Sequence, residues 1–187
     1  MQRAVFLDKD GTLVKDVPYN VDPAKIHLEP YALDSLRLLQ DNGYNLFLVS
    51  NQSGVALGYF TEADLHPVKY RIEELLQGNQ VTLNDFYYCP HHTNGTVAAY
   101  AIECECRKPR PGMLLKAAKE HKIDLLNSWM IGDILDDVEA GRNAGCKTIL
   151  LNNGNETEWL LYERRKPTFI VNNLKEAAEL ILLSDKL

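Results

Sequence analysis

Two carboxylates stand two residues apart where an apolar run meets a glycine turn. Residues 4–7 are apolar and lead into the segment Asp-Lys-Asp-Gly-Thr, in which the carboxylates are Asp8 and Asp10. Residues two apart at a strand end point the same way, so both can face one pocket, where a bound cation would let them stay ionised side by side. One could act as a nucleophile and the other as an acid and base. The segment also fits a plain turn, because Asp and Gly are favoured turn residues.

Three further polar elements follow in a set order. Ser50 ends the apolar run 46–49, Arg107 and Lys108 stand together later in the chain, and Asp133 follows the apolar run 129–131, with Asp136 and Asp137 just beyond it. Parallel sheets bind ligands at the carboxyl ends of their strands. We therefore expect the hydroxyl, the cations and the carboxylates to share one site.

A second cluster of chemical groups lies between residues 89 and 108. Cys89 and His91 begin a segment without helical or strand periodicity, and Cys104 and Cys106 end it. A loop of that length in a compact domain needs something to hold it in place. Three thiolates and one imidazole are enough for a closed, structural zinc site with tetrahedral geometry. His92 is an alternative ligand to His91. Free thiols and a disulfide between Cys104 and Cys106 are alternatives to the metal, although disulfides are rare in the cytosol.

Composition narrows the class of protein. The chain has 187 residues, the size of one domain, and a formal net charge of −6, which does not favour nucleic acid because nucleic-acid binding draws on a basic surface. No stretch approaches the roughly 20 apolar residues of a membrane span. We expect a cytoplasmic monomer without nucleic-acid or membrane partners. We also expect Cys146, which precedes an apolar strand, to be a buried core thiol.

The elements that must position these groups follow from periodicity. Short apolar runs alternate with longer amphipathic ones, which predicts an α/β fold with a mostly parallel sheet and helices on both faces. The predicted strands are residues 4–8, 46–50, 85–89, 129–132, 148–151 and 168–171. The predicted helices are residues 30–42, 61–77, 111–121, 135–144 and 174–183. Thr61 and Asp64 predict a capping box, and Gly43 and Gly145 predict two helix ends.

The four polar elements together resemble the haloacid dehalogenase (HAD) superfamily. Its motifs are an Asp-x-Asp strand end, a Ser or Thr strand end, a Lys, and a Gly-Asp-x-x-x-Asp strand end, and each has a match here. The resemblance implies a Rossmann-like HAD fold, with residues 1–187 forming a single HAD-like phosphatase domain. The intervals are already filled by predicted elements, so we expect no large cap domain and an open site. A dehalogenase would not need the second acid, Asp10.

A narrower resemblance comes from the zinc loop together with the Asn-Gln-Ser-Gly segment at residues 51–54. In this combination the chain looks like the heptose 1,7-bisphosphate phosphatases, with the related histidinol-phosphate phosphatases as the alternative, or another HAD phosphatase of small molecules. The long stretch 93–103 favours the heptose enzymes, because the loop of the histidinol-phosphate enzymes is typically shorter. The expected substrate is a small phosphorylated sugar that loses its 7-phosphate.

The resemblance also implies roles for individual residues. Asp8 would be the nucleophile and Asp10 the acid and base, while Ser50 and Lys108 would hold the phosphoryl group. Magnesium would be bound by Asp8, Asp10 and Asp133, and zinc by Cys89, His91, Cys104 and Cys106. Substrate would contact Asp16, Val17, Pro18, Tyr19, Ser50, Asn51, Gln52, Ser53, Arg107 and Lys108. Asp137 would orient the metal shell, and Asp136 would cap or solvate the start of its helix.

Overall fold

The computed structural model describes residues 2–186. Its six strands form one parallel sheet in the order β3-β2-β1-β4-β5-β6. Chain order reverses on either side of β1, which makes its carboxyl end the topological switch point where such sheets bind ligands. The strands are β1 Arg3–Leu7, β2 Tyr44–Asn51, β3 Asp85–Cys89, β4 Trp129–Gly132, β5 Lys147–Leu151 and β6 Phe169–Val171.

Five α-helices connect the strands and cover both faces of the sheet. They are α1 Ala32–Asp41, α2 Leu65–Gln77, α3 Gly112–His121, α4 Leu135–Ala144 and α5 Leu174–Ser184. Alternate residues of β1 face opposite layers, since side chains alternate along a strand. Val5 and Leu7 pack with residues of α1, α2 and α5, whereas Ala4 and Phe6 pack with residues of α3 and α4. The predicted α/β fold with helices on both faces is therefore confirmed.

Most predicted bounds agree with the structure within one or two residues, and α2 is the exception. It begins at Leu65 rather than residue 61, because residues 62–64 form a 3-10 turn. The Asp64 carboxylate accepts hydrogen bonds from the Thr61 backbone N–H at 2.7 Å and the Thr61 hydroxyl at 2.8 Å, so the predicted capping contact starts the 3-10 turn. Helix α1 begins at Ala32 because Tyr31 is left-handed, with φ 66°.

The segment between β3 and α3 contains no helix or strand over residues 90–111. The remaining intervals hold the five helices, short 3-10 turns and loops, so residues 2–186 contain no insertion with the size of a separate cap domain. Cys146 is buried, as expected of a core thiol, and burial raises its pKa to about 12. Within the described chain, no helix has the length and apolar character to cross a membrane.

Candidate active site

The switch point of the sheet gathers the polar residues that follow its central strands. Asp8 comes directly after β1, Ser50 lies at the end of β2, and Asp133 comes directly after β4. The Asp8 N–H donates to the Ile131 carbonyl at 3.0 Å, which holds Asp8 against β4 although β1 ends one residue earlier than predicted. All three side chains are buried or nearly so. The strands and their backbone hydrogen bonds therefore determine where these side chains lie.

Lys108 reaches this edge from the long loop and is almost fully buried. Its Nζ donates to Asp8 Oδ1 at 2.5 Å, to Asp137 Oδ1 at 2.6 Å and to the Val49 carbonyl at 2.9 Å. Burial by itself would lower the pKa of Lys108, but the Asp137 and Asp8 carboxylates outweigh it and raise the pKa above its ordinary value. The lysine is therefore a permanent cation that holds the Asp8 carboxylate in place.

Asp10 lies beside Asp8 but has different partners. It forms an ion pair with Lys9 and accepts a hydrogen bond from Gln52 Nε2 at 3.3 Å. The same Gln52 nitrogen donates to Ser50 Oγ at 2.8 Å. Burial raises the pKa of Asp10, with Lys9 opposing the shift and Asp8 adding to it. Burial therefore favours the protonated form of Asp10 more than it is favoured in an exposed aspartate.

Asp133 is held by side chains from two other segments. Its carboxylate accepts hydrogen bonds from Thr12 Oγ1 at 3.3 Å and Asn155 Nδ2 at 2.7 Å. A Cβ at Gly11, which has φ +75°, would lie 2.2 Å from Asp133 Oδ2, so only glycine allows this close approach. Burial, with the neighbouring Asp8 charge, raises the pKa of Asp133 to about 6.

The carboxylates suit a hard divalent cation. Oxygen atoms of Asp8, Asp133 and Asp137 lie within 4.8 Å of one another, and the Lys108 ammonium is shared between Asp8 and Asp137. Burial first and the Asp8 charge second raise the pKa of Asp133, and a bound cation would oppose both effects. The Asp10 carbonyl accepts no hydrogen bond from residues 2–186, although both neighbouring carbonyls do. Carboxylate and carbonyl oxygens are the ligands Mg²⁺ prefers.

The Cys/His residues of the long loop form a second cluster. Cys106 Sγ lies 3.0 Å from Cys89 Sγ, 3.3 Å from Cys104 Sγ and 3.3 Å from His91 Nδ1. All four ligand atoms lie within 4.8 Å of one another, and the cysteines are not disulfide-bonded. His92 is turned elsewhere, because its Nδ1 accepts from the Asn94 N–H at 3.1 Å. The set of donors fits tetrahedral zinc with no open position.

Most of the predicted substrate-binding residues line one groove beside Asp10. Asp16, Pro18 and Tyr19 form one wall, and Asn51, Gln52 and Ser53 form the other. Val17 is not among the residues that line this groove, and its contact with substrate stays a prediction. Arg107 lies in a neighbouring groove with Lys108, Arg110 and Asp136, and its Nη1 donates to the His91 carbonyl at 3.3 Å. The Asn51 side chain bonds both backbone groups of Lys108.

Asp136 and Asp137 are adjacent but play different structural roles. Asp137 is fully buried, contacts Lys108 and accepts from the Ile134 N–H at 3.3 Å. Asp136 lies in the first turn of α4, where negative charge is favoured, and it forms an ion pair with Arg165 rather than a capping hydrogen bond. The start of the helix is satisfied instead by Asp137 and by Glu156, which accepts from the Leu135 N–H at 2.6 Å.

Sequence reasoning missed three residues that support the site. Lys9 is only 2% exposed and pairs with Asp10. Asn153 donates to the Gly11 carbonyl at 2.6 Å, and Asn155 donates to Asp133. Both asparagines follow β5, so the rule that found Asp8 and Asp133 at strand ends could have found them. Nothing in the sequence distinguishes Lys9 from a solvent-exposed lysine.

Comparison with known proteins places this chain among phosphatases. A protein-family model described as HAD-hydrolase-like matches residues 105–177. The D-glycero-beta-D-manno-heptose-1,7-bisphosphate 7-phosphatase of Pasteurella multocida is 43% identical over 155 residues, which cover 82% of this chain and 84% of that protein. The enzyme of the same name from Escherichia coli K12 is 38% identical over 168 residues, covering 84% and 87% respectively.

Solved structures agree with the sequence matches. A protein from Mesorhizobium loti described as a HAD-like phosphatase superposes with a TM-score of 0.84 at 33% identity, covering 96% of this chain and 86% of that one. The D,D-heptose 1,7-bisphosphate phosphatase of B. bronchiseptica, complexed with magnesium and phosphate, gives a TM-score of 0.79 at 26% identity, covering 97% and 99%. Fold and site together define a HAD-like hydrolase. Within that class the chain belongs to the family of heptose 1,7-bisphosphate 7-phosphatases.

Proposed function

We propose that this protein is a phosphatase that removes the 7-phosphate from D-glycero-β-D-manno-heptose 1,7-bisphosphate. The observation that carries the proposal is the contact of Lys108 Nζ with Asp8 Oδ1 at 2.5 Å, at the switch point of the sheet. The sequence supports it, because the chain is 43% identical to an enzyme named for this reaction. The β anomer is proposed because the curated relatives are named for it.

Asp8 is the nucleophile in this proposal. Attack by its carboxylate on the phosphorus forms an aspartyl-phosphate and breaks the bond to the sugar oxygen, which divides one difficult transfer into two easier ones. Lys108 fixes the direction of attack and offsets the charge of the nucleophile. Ser50, whose hydroxyl is buried beside Gln52, contacts the phosphoryl oxygens together with Lys108.

Asp10 moves the proton. It protonates the departing sugar oxygen and then removes a proton from the water that hydrolyses the aspartyl-phosphate. Burial raises its pKa, which favours the proton-carrying form that this first role needs. Lys9 and Gln52 keep the carboxyl in position between these two steps.

Magnesium is the catalytic cofactor of the proposal. Asp8, the Asp10 carbonyl and Asp133 would hold it, with Asp137 orienting the surrounding carboxylates and Lys108. When bound, the cation neutralises charge that otherwise repels an anionic nucleophile from an anionic phosphate.

Zinc is the structural cofactor of the proposal, held by Cys89, His91, Cys104 and Cys106. Cys106 is followed directly by Arg107 and then Lys108, so fixing its sulfur also fixes the start of the catalytic cation's segment. The free energy of zinc binding in small peptides, roughly 10 to 16 kcal/mol, is ample for ordering such a loop.

The groove beside Asp10 receives the sugar. Asp16, Tyr19 and Pro18 face Asn51, Gln52 and Ser53 across it, and polar side chains of this kind suit sugar hydroxyls. Arg107 lies beyond Lys108, where its guanidinium can contact the retained 1-phosphate. The chain acts as one phosphatase domain over residues 1–187, as a monomer in the cytoplasm, where four free cysteines remain reduced.

A comparison of substrates tests this function. Purified, magnesium-supplied protein should give a kcat/KM for heptose 1,7-bisphosphate well above that for histidinol phosphate, with phosphate released from the 7-position. An equal or higher kcat/KM for histidinol phosphate would overturn the proposal in favour of the histidinol-phosphate phosphatases.

Arg107 provides a second test, directed at the 1-phosphate. If its guanidinium contacts that group, Arg107→Ala should cost about 2 to 5 kcal/mol in transition-state binding for the bisphosphate, the range for losing one partner of a buried charge pair. A small monophosphate ester should lose far less. Equal losses for both substrates would show that Arg107 acts on the transferred phosphoryl group or on the loop instead.

A further inference from the structure

Two exposed aromatic rings contact each other beside the sugar groove. The rings of Tyr19 and Tyr59 have centroids 4.6 Å apart and lie edge to face at 80°. Tyr19 is 51% exposed and Tyr59 is 62% exposed, so water reaches both rings although they come from different loops. Aromatic pairs prefer this geometry, but a contact between two solvated rings adds little to folding. Packing of the hydrophobic core therefore does not explain why these two rings contact each other.

Tyr19 has an unusual backbone at the groove. Its φ is 54°, in the left-handed region that bulky residues rarely adopt. It lines the same groove as Asp10 and Gln52. Strained residues of this kind persist where the surroundings hold them and are concentrated at functional sites. The Tyr59 ring is the aromatic partner that holds the Tyr19 side chain at the rim.

The backbone of Tyr59 is firmly held although its ring is in water. Its N–H donates to the Gly54 carbonyl at 2.9 Å, and the preceding Gly58 makes the required turn with φ +75°. The next residue, Phe60, is buried, and its Cε1 would lie 2.2 Å from a Cβ at Gly54, so the turn is closely packed. A rigid turn thus places the exposed Tyr59 ring against Tyr19, which lines the groove.

We propose that Tyr59 is a positioning residue that holds the Tyr19 ring at the rim of the groove, where the Tyr19 ring packs against the C–H face of the sugar. The electron-rich face of an aromatic ring attracts the weakly positive hydrogens of a sugar face. The polar side chains of the groove walls would form hydrogen bonds with the sugar hydroxyls. Rings fixed in advance lose little entropy on binding. This inference rests on the proposed function, because the sugar is that of the proposed substrate.

Steady-state kinetics of Tyr59→Ala test the inference. The ratio of kcat/KM for heptose 1,7-bisphosphate to that for acetyl phosphate, a small substrate without a sugar, should fall about threefold to tenfold. The loss should be in KM rather than kcat, because the contact is equal in ground and transition states. Tyr59→Phe should restore the wild-type ratio, since the ring contact does not need the hydroxyl. Tyr70→Ala is the control, as Tyr70 is a 68% exposed tyrosine on α2.

A double variant separates positioning from independent contacts. If Tyr59 acts through Tyr19, the KM of Tyr19→Ala with Tyr59→Ala should match that of Tyr19→Ala alone. The inference would be overturned if the KM effects of the two substitutions were additive, or if Tyr59→Ala left the ratio of kcat/KM values unchanged. It would also be overturned if Tyr59→Ala lowered kcat/KM equally for both substrates, or if Tyr59→Phe were as defective as Tyr59→Ala. Wild-type protein that hydrolyses acetyl phosphate but not the heptose bisphosphate would overturn the proposed function, and the inference with it.

Discussion

The two clusters of candidate metal ligands are held in place by different parts of the fold. Asp8 and Asp133 follow neighbouring strands, and Asp137 lies in the first turn of α4, so backbone hydrogen bonds place all three. The Cys/His cluster begins at the end of β3, but its other three ligands lie in residues 90–111, which contain no helix or strand. Its four ligand atoms lie within 4.8 Å of one another, and Cys106 Sγ and Cys89 Sγ are 3.0 Å apart.

The two clusters should therefore differ in how far their order depends on a bound metal ion. The sheet can hold the carboxylates together without an ion, although their burial, together with the Asp8 charge, raises the pKa of Asp133. The loop lacks such a framework, so its order should depend on its metal. Lys108 belongs to both regions, because it is two residues from Cys106 and contacts Asp8. Substitutions in the Cys/His cluster should therefore disturb the carboxylate site, whereas substitutions of the carboxylates should leave the Cys/His cluster intact.

The largest expected effect is that of Asp8→Asn. Removing the nucleophile should lower kcat by roughly 10⁴-fold or more, while zinc content stays at one ion per chain because the loop is untouched. Asp10→Asn should also abolish turnover, but an aspartyl-phosphate should still be trapped with an activated substrate, which Asp8→Asn cannot form. Wild-type rates in magnesium-supplied Asp8→Asn would refute the mechanism.

Loss of the loop metal should be nearly as severe for catalysis. Cys104→Ser should lose the zinc, and kcat/KM should fall on the order of 100-fold or more, because a mobile loop no longer fixes Lys108. Metal analysis and kinetics measure the two losses. Cys146→Ser is the matched control, since Cys146 lies outside the cluster and should leave zinc in place. Zinc-free wild-type protein with full activity would contradict the dependence of the sheet site on the loop.

Substitution of the shared lysine should reveal its contribution to stability. Lys108→Met keeps most of the side-chain volume but leaves Asp8 and Asp137 without their cation, which should lower the free energy of unfolding at pH 7 by about 3 to 5 kcal/mol. Because the folded-state pKa of Lys108 lies above the ordinary 10.5, the stabilisation is fully present at pH 7 and is lost only as pH rises past these values.

Urea unfolding in the absence of magnesium measures that loss. Lys116→Met is the control, because Lys116 is exposed on α3 and lies over the Tyr87 ring at 5.5 Å. It should change stability by about 1 kcal/mol or less. Similar losses in the two variants would mean that the buried charges stabilise the fold no more than a surface contact does.

The sequence predicted the framework of the site better than its supporting contacts. Apolar runs ending in Asp8, Ser50 and Asp133 could be recognised as strand ends, because strand periodicity is a local property. The burial of Lys9 could not, since it depends on the packing of distant segments around Asp10. Nor could the ion pair of Asp136 with Arg165, which lies 29 residues away. Local patterns predict elements, whereas the contacts between loops arise only after the sheet has assembled.

The smallest expected effect is the pH dependence of magnesium binding at Asp133. Its folded-state pKa is raised from 3.8 to about 6, so the metal-free folded protein keeps a proton that the unfolded chain releases. Its stability therefore falls as pH rises through this window. Magnesium requires the ionised carboxylate, so its apparent affinity should be about tenfold weaker at pH 5 than above pH 7. This difference equals about 1.4 kcal/mol of stabilisation when the magnesium concentration is well above the dissociation constant at both pH values.

Melting temperatures with and without magnesium, in zinc-loaded protein at both pH values, measure this dependence. The increase caused by magnesium should be larger above pH 7 and should disappear in Asp133→Asn. Asp137, whose pKa is also raised by burial, acts in the same direction. An increase of equal size at both pH values would mean that the cation does not compete with a proton on this carboxylate. The ion would then lie away from the carboxylates at the strand ends.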